Sequence, residues 1–252
     1  MSWWQQPLVG FDLETTGVNP EQDRIVTAAV VMVGPRRSAN AEDNAVRWLA
    51  VERFGWTVAP APGVVIPAAA TAVHGITTEY ALAVGRPAAR VVQEIGIVLA
   101  EHIAAGRPLV AMNAPYDFTM LDRESERHGY QPLAVQAGCE PIVVDPLVLD
   151  RQVDRYRRGK RTLGALCEHY GVRLDGAHEA AADALAAVRV AVEIASRHPA
   201  IGGASLADLH AAQAAWAGEQ ADSLRQHLVR QGRDATSVHG HWPLIPRQEV
   251  AK

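Results

Sequence analysis

The sequence predicts an α/β protein: a mixed sheet flanked by helices, with a helical extension at the C-terminal end. Three observations carry that reading. The N-terminal part is β-rich with short polar links. The middle alternates helical runs with short apolar strands. Beyond Ser205 a run rich in Ala, Gln, Glu and Leu holds no internal proline.

Taken in order, "PLVGFDLE", "RIVTAAVVMV" and "VRWLAVE" read as neighbouring strands of an antiparallel meander, parted by the turn-like "GVNPEQD" and the polar "GPRRSANAEDN". "PAARVVQEIGIVLAEHIAAG" has helical composition and a glycine stop, and "PLVAMNA" follows as a short strand. A helix is expected from about Pro115 to His128, then the strand "PIVVD" and a helix opening at Pro146. Asp145 before Pro146 is explained as an N-cap followed by proline at the first helical position. "TLGALCEHYG" and "EAAADALAAVRVAVEIASRH" complete the alternation. "PAIGGAS" reads as a linker, dividing the chain into a domain of residues 1–198, a linker of 199–204 and an extension of 205–252. Within the extension a long helix runs from Leu206 to about Gln231, with Trp216 and leucines on one stripe. The tail behind it has neither helical nor strand period, which leaves packing through Trp242 or a loose end.

With 48% hydrophobic and 21% charged residues, disorder is not expected. A formal net charge of -4 means that no whole-molecule basic field attracts a polyanion, which must be met by a local patch or by metal ions. "MSWWQQPLVGFDLE" lacks a signal-peptide pattern, and no apolar run is long enough for a membrane span. Cys139 and Cys167 lack metal-ligand spacing and are expected as buried thiols in a cytoplasmic protein.

Alternate side chains of a strand share a face, so Asp12 and Glu14 point one way while Val9, Phe11 and Leu13 supply the core-packing face. Their Cα atoms are then roughly 7 Å apart. Two ionised carboxylates at that spacing repel unless a cation lies between them, and carboxylate oxygens suit Mg²⁺ or Mn²⁺. Asp117 in "NAPYDF" is expected in the first turn of a helix, where the positive end favours its ionised form. Five residues of helix turn a side chain by about 140°, so His178 and Asp183 do not share one helical face. His178 belongs on the loop after "LDG" and Asp183 one turn inside the helix. Each of these residues alone has an ordinary explanation as a surface acid or a capping group. Together they make a carboxylate cage with one titratable base.

"FDLETTG", "NAPYDF" and "HEAAAD" resemble the three exonuclease motifs of the DEDDh family, the DnaQ-like 3′-to-5′ exonucleases that include the proofreading epsilon subunit of bacterial DNA polymerase III. "AVHGIT" resembles that family's intervening His-Gly-Ile segment, and the likeness runs from about Leu8 to Ser196. The resemblance implies a ribonuclease H-like fold with a mixed five-stranded sheet, three strands antiparallel and then two parallel. It also implies a two-metal hydrolase, with Mg²⁺ or Mn²⁺, that releases nucleoside 5′-monophosphates from 3′ ends. Carried over, Asp12, Glu14 and Asp183 become metal ligands, Asp117 a ligand partly through water, and His178 the general base. His74 and the backbone around Leu13 and Thr15 hold the terminal nucleotide. Tyr116 stands where many members have phenylalanine, and Ala69 where the epsilon subunit has an acid.

Single-stranded DNA, used in proofreading or repair, is the expected substrate, and trimming of single-stranded RNA in the manner of RNase T is the alternative. A non-catalytic nucleic-acid-binding or polymerase-docking module would have lost a ligand or the base, and this sequence retains all five. The extension suits a free-standing enzyme and one tethered to a DNA polymerase equally. The basic run "RQVDRYRRGKR", Arg151 to Arg161, fits a strand-binding groove and a solvated helix-loop segment about evenly.

Overall fold

The structure is a computed structural model that describes residues 2–37 and 46–247. Strands β1 (Leu8–Thr15), β2 (Ile25–Arg37) and β3 (Val46–Ala59) form the antiparallel meander expected from the β-rich runs. Most of the polar link between β2 and β3, residues 38–45, lies outside the described residues. Helices α1 (Ala68–His74) and α2 (Thr78–Val84) follow, then β4 (Arg86–Pro87) and α3 (Ala88–Ala104). The chain continues through β5 (Leu109–Val110), α4 (Ala114–Arg127), α5 (Leu133–Ala137), β6 (Val143–Val144), α6 (Pro146–Val153), α7 (Leu163–Tyr170) and α8 (Ala180–Arg197). The short α9 (Pro199–Gly202) and the long α10 (Leu206–Arg230) complete it.

The strand order is β4-β3-β2-β1-β5-β6, with β5 and β6 parallel to β1. Five of these strands are the ones that the sequence pattern marks. The sixth, β4, is a two-residue parallel pairing with β3, too short to leave a periodic signal. Each sheet face buries its own apolar cluster. Val9, Phe11 and Leu13 pack with residues of α3 and α4, and Phe11 and Phe118 bring ring centroids to 5.6 Å. Leu8, Val31, Val110 and Val144 pack with α7 and α8 on the other face.

Gly10 faces α8. A Cβ there would fall on the carbonyl of Ala184, so the missing side chain lets the first turns of α8 press against β1. The segment read as a linker contains the helical turn α9, in which Ile201 is buried and its carbonyl accepts from the Trp3 indole at 3.0 Å. Of the two cysteines, Cys167 is buried as expected, whereas Cys139 is exposed because the left-handed Gly138 turns the chain out onto a surface loop after α5.

Candidate active site

The site lies where β1 and β5 separate. Their parallel pairing covers Val9 with Leu109 and Gly10 with Val110, and the chain then leaves β5 for α4. Beyond that point the backbone N–H of Leu13 has no strand neighbour on this side, and it donates to Asp117 Oδ1 at 3.1 Å. A crevice outside the carboxyl ends of parallel strands is the usual place for a ligand in such sheets. A register shift between Glu14 and Thr15 bends the end of β1 there.

Asp12 and Glu14 share the strand face that meets α8, and Asp183 sits in the first turn of that helix. His178 precedes the helix in a left-handed conformation, φ 67°, and its backbone N–H donates to Asp183 Oδ2 at 3.2 Å. Ligand atoms of Glu14, His178 and Asp183 all lie within 4.8 Å of one another. Burial pushes Asp12 well above the usual carboxylate range, and the charges of Asp117, Asp183 and Glu14 push it further. Burial, and then Asp183, raise Glu14 to about 7. Asp183 is raised by burial against the opposing pull of His178. Its Oδ1 is buried without a hydrogen-bond partner. Mutually repelling carboxylates, an orphaned carboxylate oxygen and an adjacent imidazole fit a hard divalent cation.

Asp117 corrects one expectation. The helix end was expected to favour its ionised form, but it is buried at 3% exposure, and that burial outweighs the Leu13 N–H and raises its pKa well above the usual range. His74 is buried at the end of α1. Its Nδ1 accepts from Ile76 N–H at 3.1 Å, Nε2 has no hydrogen-bond partner, and burial lowers its pKa. Leu13, Glu14, Thr15 and His74 line one cleft of about 630 Å³ with Tyr116. The Tyr116 hydroxyl contacts Thr15 Oγ1 and donates to Gly17 O at 2.6 Å, fixing the "TTG" turn in a way phenylalanine has no atom to do.

Asp145 does more than cap α6. Its carboxylate accepts from Leu147 N–H at 2.9 Å, and also from Asn113 and Ala114 N–H at 3.0 Å each. It therefore holds the left-handed Asn113 turn that starts α4 and so places Asp117. The signal for this was a polar residue expected at a strand-to-helix junction, which an N-cap alone accounted for. The basic run divides between two environments. Arg157 donates to both oxygens of the fully buried Asp150, at 2.9 and 2.7 Å, and Arg161 contacts the same carboxylate. Tyr170 OH donates to it at 2.9 Å, so two of the arginines neutralise a buried acid, while Arg155, Arg158 and Lys160 are exposed.

Residues 9–191 match the RNase T family model, whose description is "Exonuclease". A relative from Rhodobacter capsulatus, "DNA polymerase III subunit epsilon-like protein", is 33% identical over 183 residues, 71% of this chain and 22% of that one. Exonuclease I of E. coli, solved with a dT13 oligonucleotide, superposes with a TM-score of 0.61 at 22% identity over 78% of this chain and 42% of that one. The exonuclease I of Methylocaldum szegediense gives 0.59 at 22% identity over 77% and 41%. The chain spans less than half the length of each of these relatives, and the likeness to the two solved structures is one of fold.

Proposed function

Since the chain belongs to the DnaQ-like exonuclease family, we propose that it removes nucleotides from the 3′ end of single-stranded DNA as nucleoside 5′-monophosphates. The carrying observation is the cage: Asp12 buried among Asp117, Asp183 and Glu14, with His178 beside the last two. Asp12, Glu14 and Asp183 would hold divalent cations, Mg²⁺ or Mn²⁺, with Asp117 contributing partly through water. Two such ions when bound neutralise the phosphodiester, acidify a water and stabilise the departing 3′-oxygen.

His178 takes the proton from the attacking water. It stands on an exposed loop with a ring nitrogen within 4.8 Å of carboxylate oxygens of both Glu14 and Asp183. A neutral imidazole nitrogen is a suitable proton acceptor for that step. Leu13 and Thr15 offer backbone atoms to the terminal nucleotide, and His74 packs beside them in the same cleft. DNA is favoured over RNA by the oligonucleotide bound to the E. coli neighbour of the same fold. A role in proofreading or repair, with or without a tethered polymerase, follows the epsilon-like relative.

The test is digestion of 5′-labelled single-stranded DNA and RNA side by side, with Mg²⁺ and with EDTA. A ladder shortening from the 3′ end, faster on DNA and abolished by EDTA, is expected. His178→Ala should lower kcat by about 10²- to 10⁴-fold, the usual contribution of a general base, and Asp12→Asn should remove activity. Full activity in either variant sinks the assignment.

A further inference from the structure

The cleft beside the cage has a wall that the family match does not include. The match ends at residue 191, yet His239 and Ile245 of the C-terminal tail line the same cleft as Glu14, Thr15 and His74. The tail is fastened there at several points. Trp242 is buried; its indole N–H donates to Asp145 Oδ2 at 3.3 Å, and its ring lies 4.9 Å from that of His210. The Arg225 guanidinium donates to Val238 O at 3.0 Å, just ahead of His239.

Both backbone groups of Ile245 are held by α4. Its N–H donates to Thr119 Oγ1 at 2.9 Å, and its carbonyl accepts from Arg123 Nη2 at 2.9 Å. Arg123 is almost wholly buried, and a buried guanidinium is tolerated only when its N–H groups are matched. Glu21, Asp122 and the Ile245 carbonyl match them, so the tail is part of what makes that burial possible. Ile245 is thereby positioned by the helix that also carries Asp117 and Tyr116.

We propose that the tail completes the substrate site, with Ile245 packing against an unpaired base near the strand's 3′ end and His239 making a second contact to the same strand. The inference rests on the exonuclease reading for its ligand class, single-stranded nucleic acid. The chemistry of the wall suits it: Val18, Pro20, Pro115 and Ile245 are apolar, and an imidazole stacks on a base or donates to a phosphate. An unpaired base has an exposed face to bury, whereas a stacked and paired one does not.

The experiment uses the full chain and a 5′-labelled single-stranded oligo-dT, read as KM and kcat in Mg²⁺ and as Kd in Ca²⁺. Ile245→Ser and His239→Ala should each raise KM and Kd about five- to tenfold, the scale of one base contact, with kcat within about twofold. Leu244→Ala, on the same tail but lining a different cavity, should change neither constant. His239 is exposed, so its variant keeps the fold and the test stays decisive if Ile245→Ser is unstable. Unchanged KM and Kd in His239→Ala, or in a folded Ile245→Ser, overturn the proposal. A wild type that binds the strand but does not shorten it overturns the exonuclease reading instead, and Kd still decides the tail.

Discussion

Glu14 is the residue where the cost of the cage is easiest to measure. Its folded pKa, about 7, lies above its ordinary value of 4.5. The folded state therefore holds the proton more tightly than the unfolded one. The stability this contributes is present below 4.5 and is lost as pH rises through about 7. Buried His74 and His102 have lowered pKa values and act with the opposite sign, so the readout is a difference between variants. In EDTA, Glu14→Gln should gain melting temperature over wild type as pH goes from 5 to 8, and Mg²⁺ at pH 8 should close the gap by binding the folded wild type. A gap independent of pH would mean that burial and the charge of Asp183 do not raise Glu14 as described.

Between β1 and α8 the decisive feature is an absent side chain. Gly10 lets the helix approach the strand closely enough for Asp183 to join Asp12 and Glu14. Gly10→Ala drives a methyl into the Ala184 carbonyl, and overpacking of a fixed backbone costs about 1–3 kcal/mol or more. The expected result is a lower melting temperature together with weaker Mn²⁺ binding, since the first turn of α8 must move. Gly164→Ala in α7 is the control. A Cβ there meets nothing within 4 Å, so helix propensity should make it neutral or stabilising by about 0.5–1 kcal/mol. Equal melting curves for the two variants would remove the close approach from the account of the site.

Across the whole molecule, one buried amide ties the extension to the domain that carries the cage. Gln213 of α10 is fully buried. Its carbonyl accepts from Asp145 N–H at 2.7 Å, and its NH₂ donates to Val143 O at 3.0 Å and Leu209 O at 3.2 Å. Gln213→Leu strands the Asp145 N–H and the Val143 carbonyl, at about 1–3 kcal/mol for each unsatisfied group. Asp145 in turn holds the start of α4, so activity should fall with stability. Calorimetry of the wild type should give a single transition. Two transitions, with Gln213→Leu moving only one, would make residues 205–252 a separately folding unit.

The sequence by itself determined the strands and helices whose signals are local. Alternation set β1 and its two faces, proline and glycine punctuated α3, α4 and α6, and the order of Asp12, Glu14, Asp117, His178 and Asp183 pointed to the cage. The element signals lie within one turn or one strand, where residue type and spacing act directly, whereas the cage was read only by taking three separate motifs together. Only the tertiary structure decided the rest. It put Asp117 under burial strong enough to overrule the helix end and spent Arg157 and Arg161 on Asp150. It also turned Asp145 from a cap into a junction and returned His239 and Ile245 to the cleft. These outcomes depend on desolvation and on partners more than a hundred residues away in some cases, such as Ile245 with Thr119. No local pattern encodes them, because a side chain's charge state and partners are set by what folds over it.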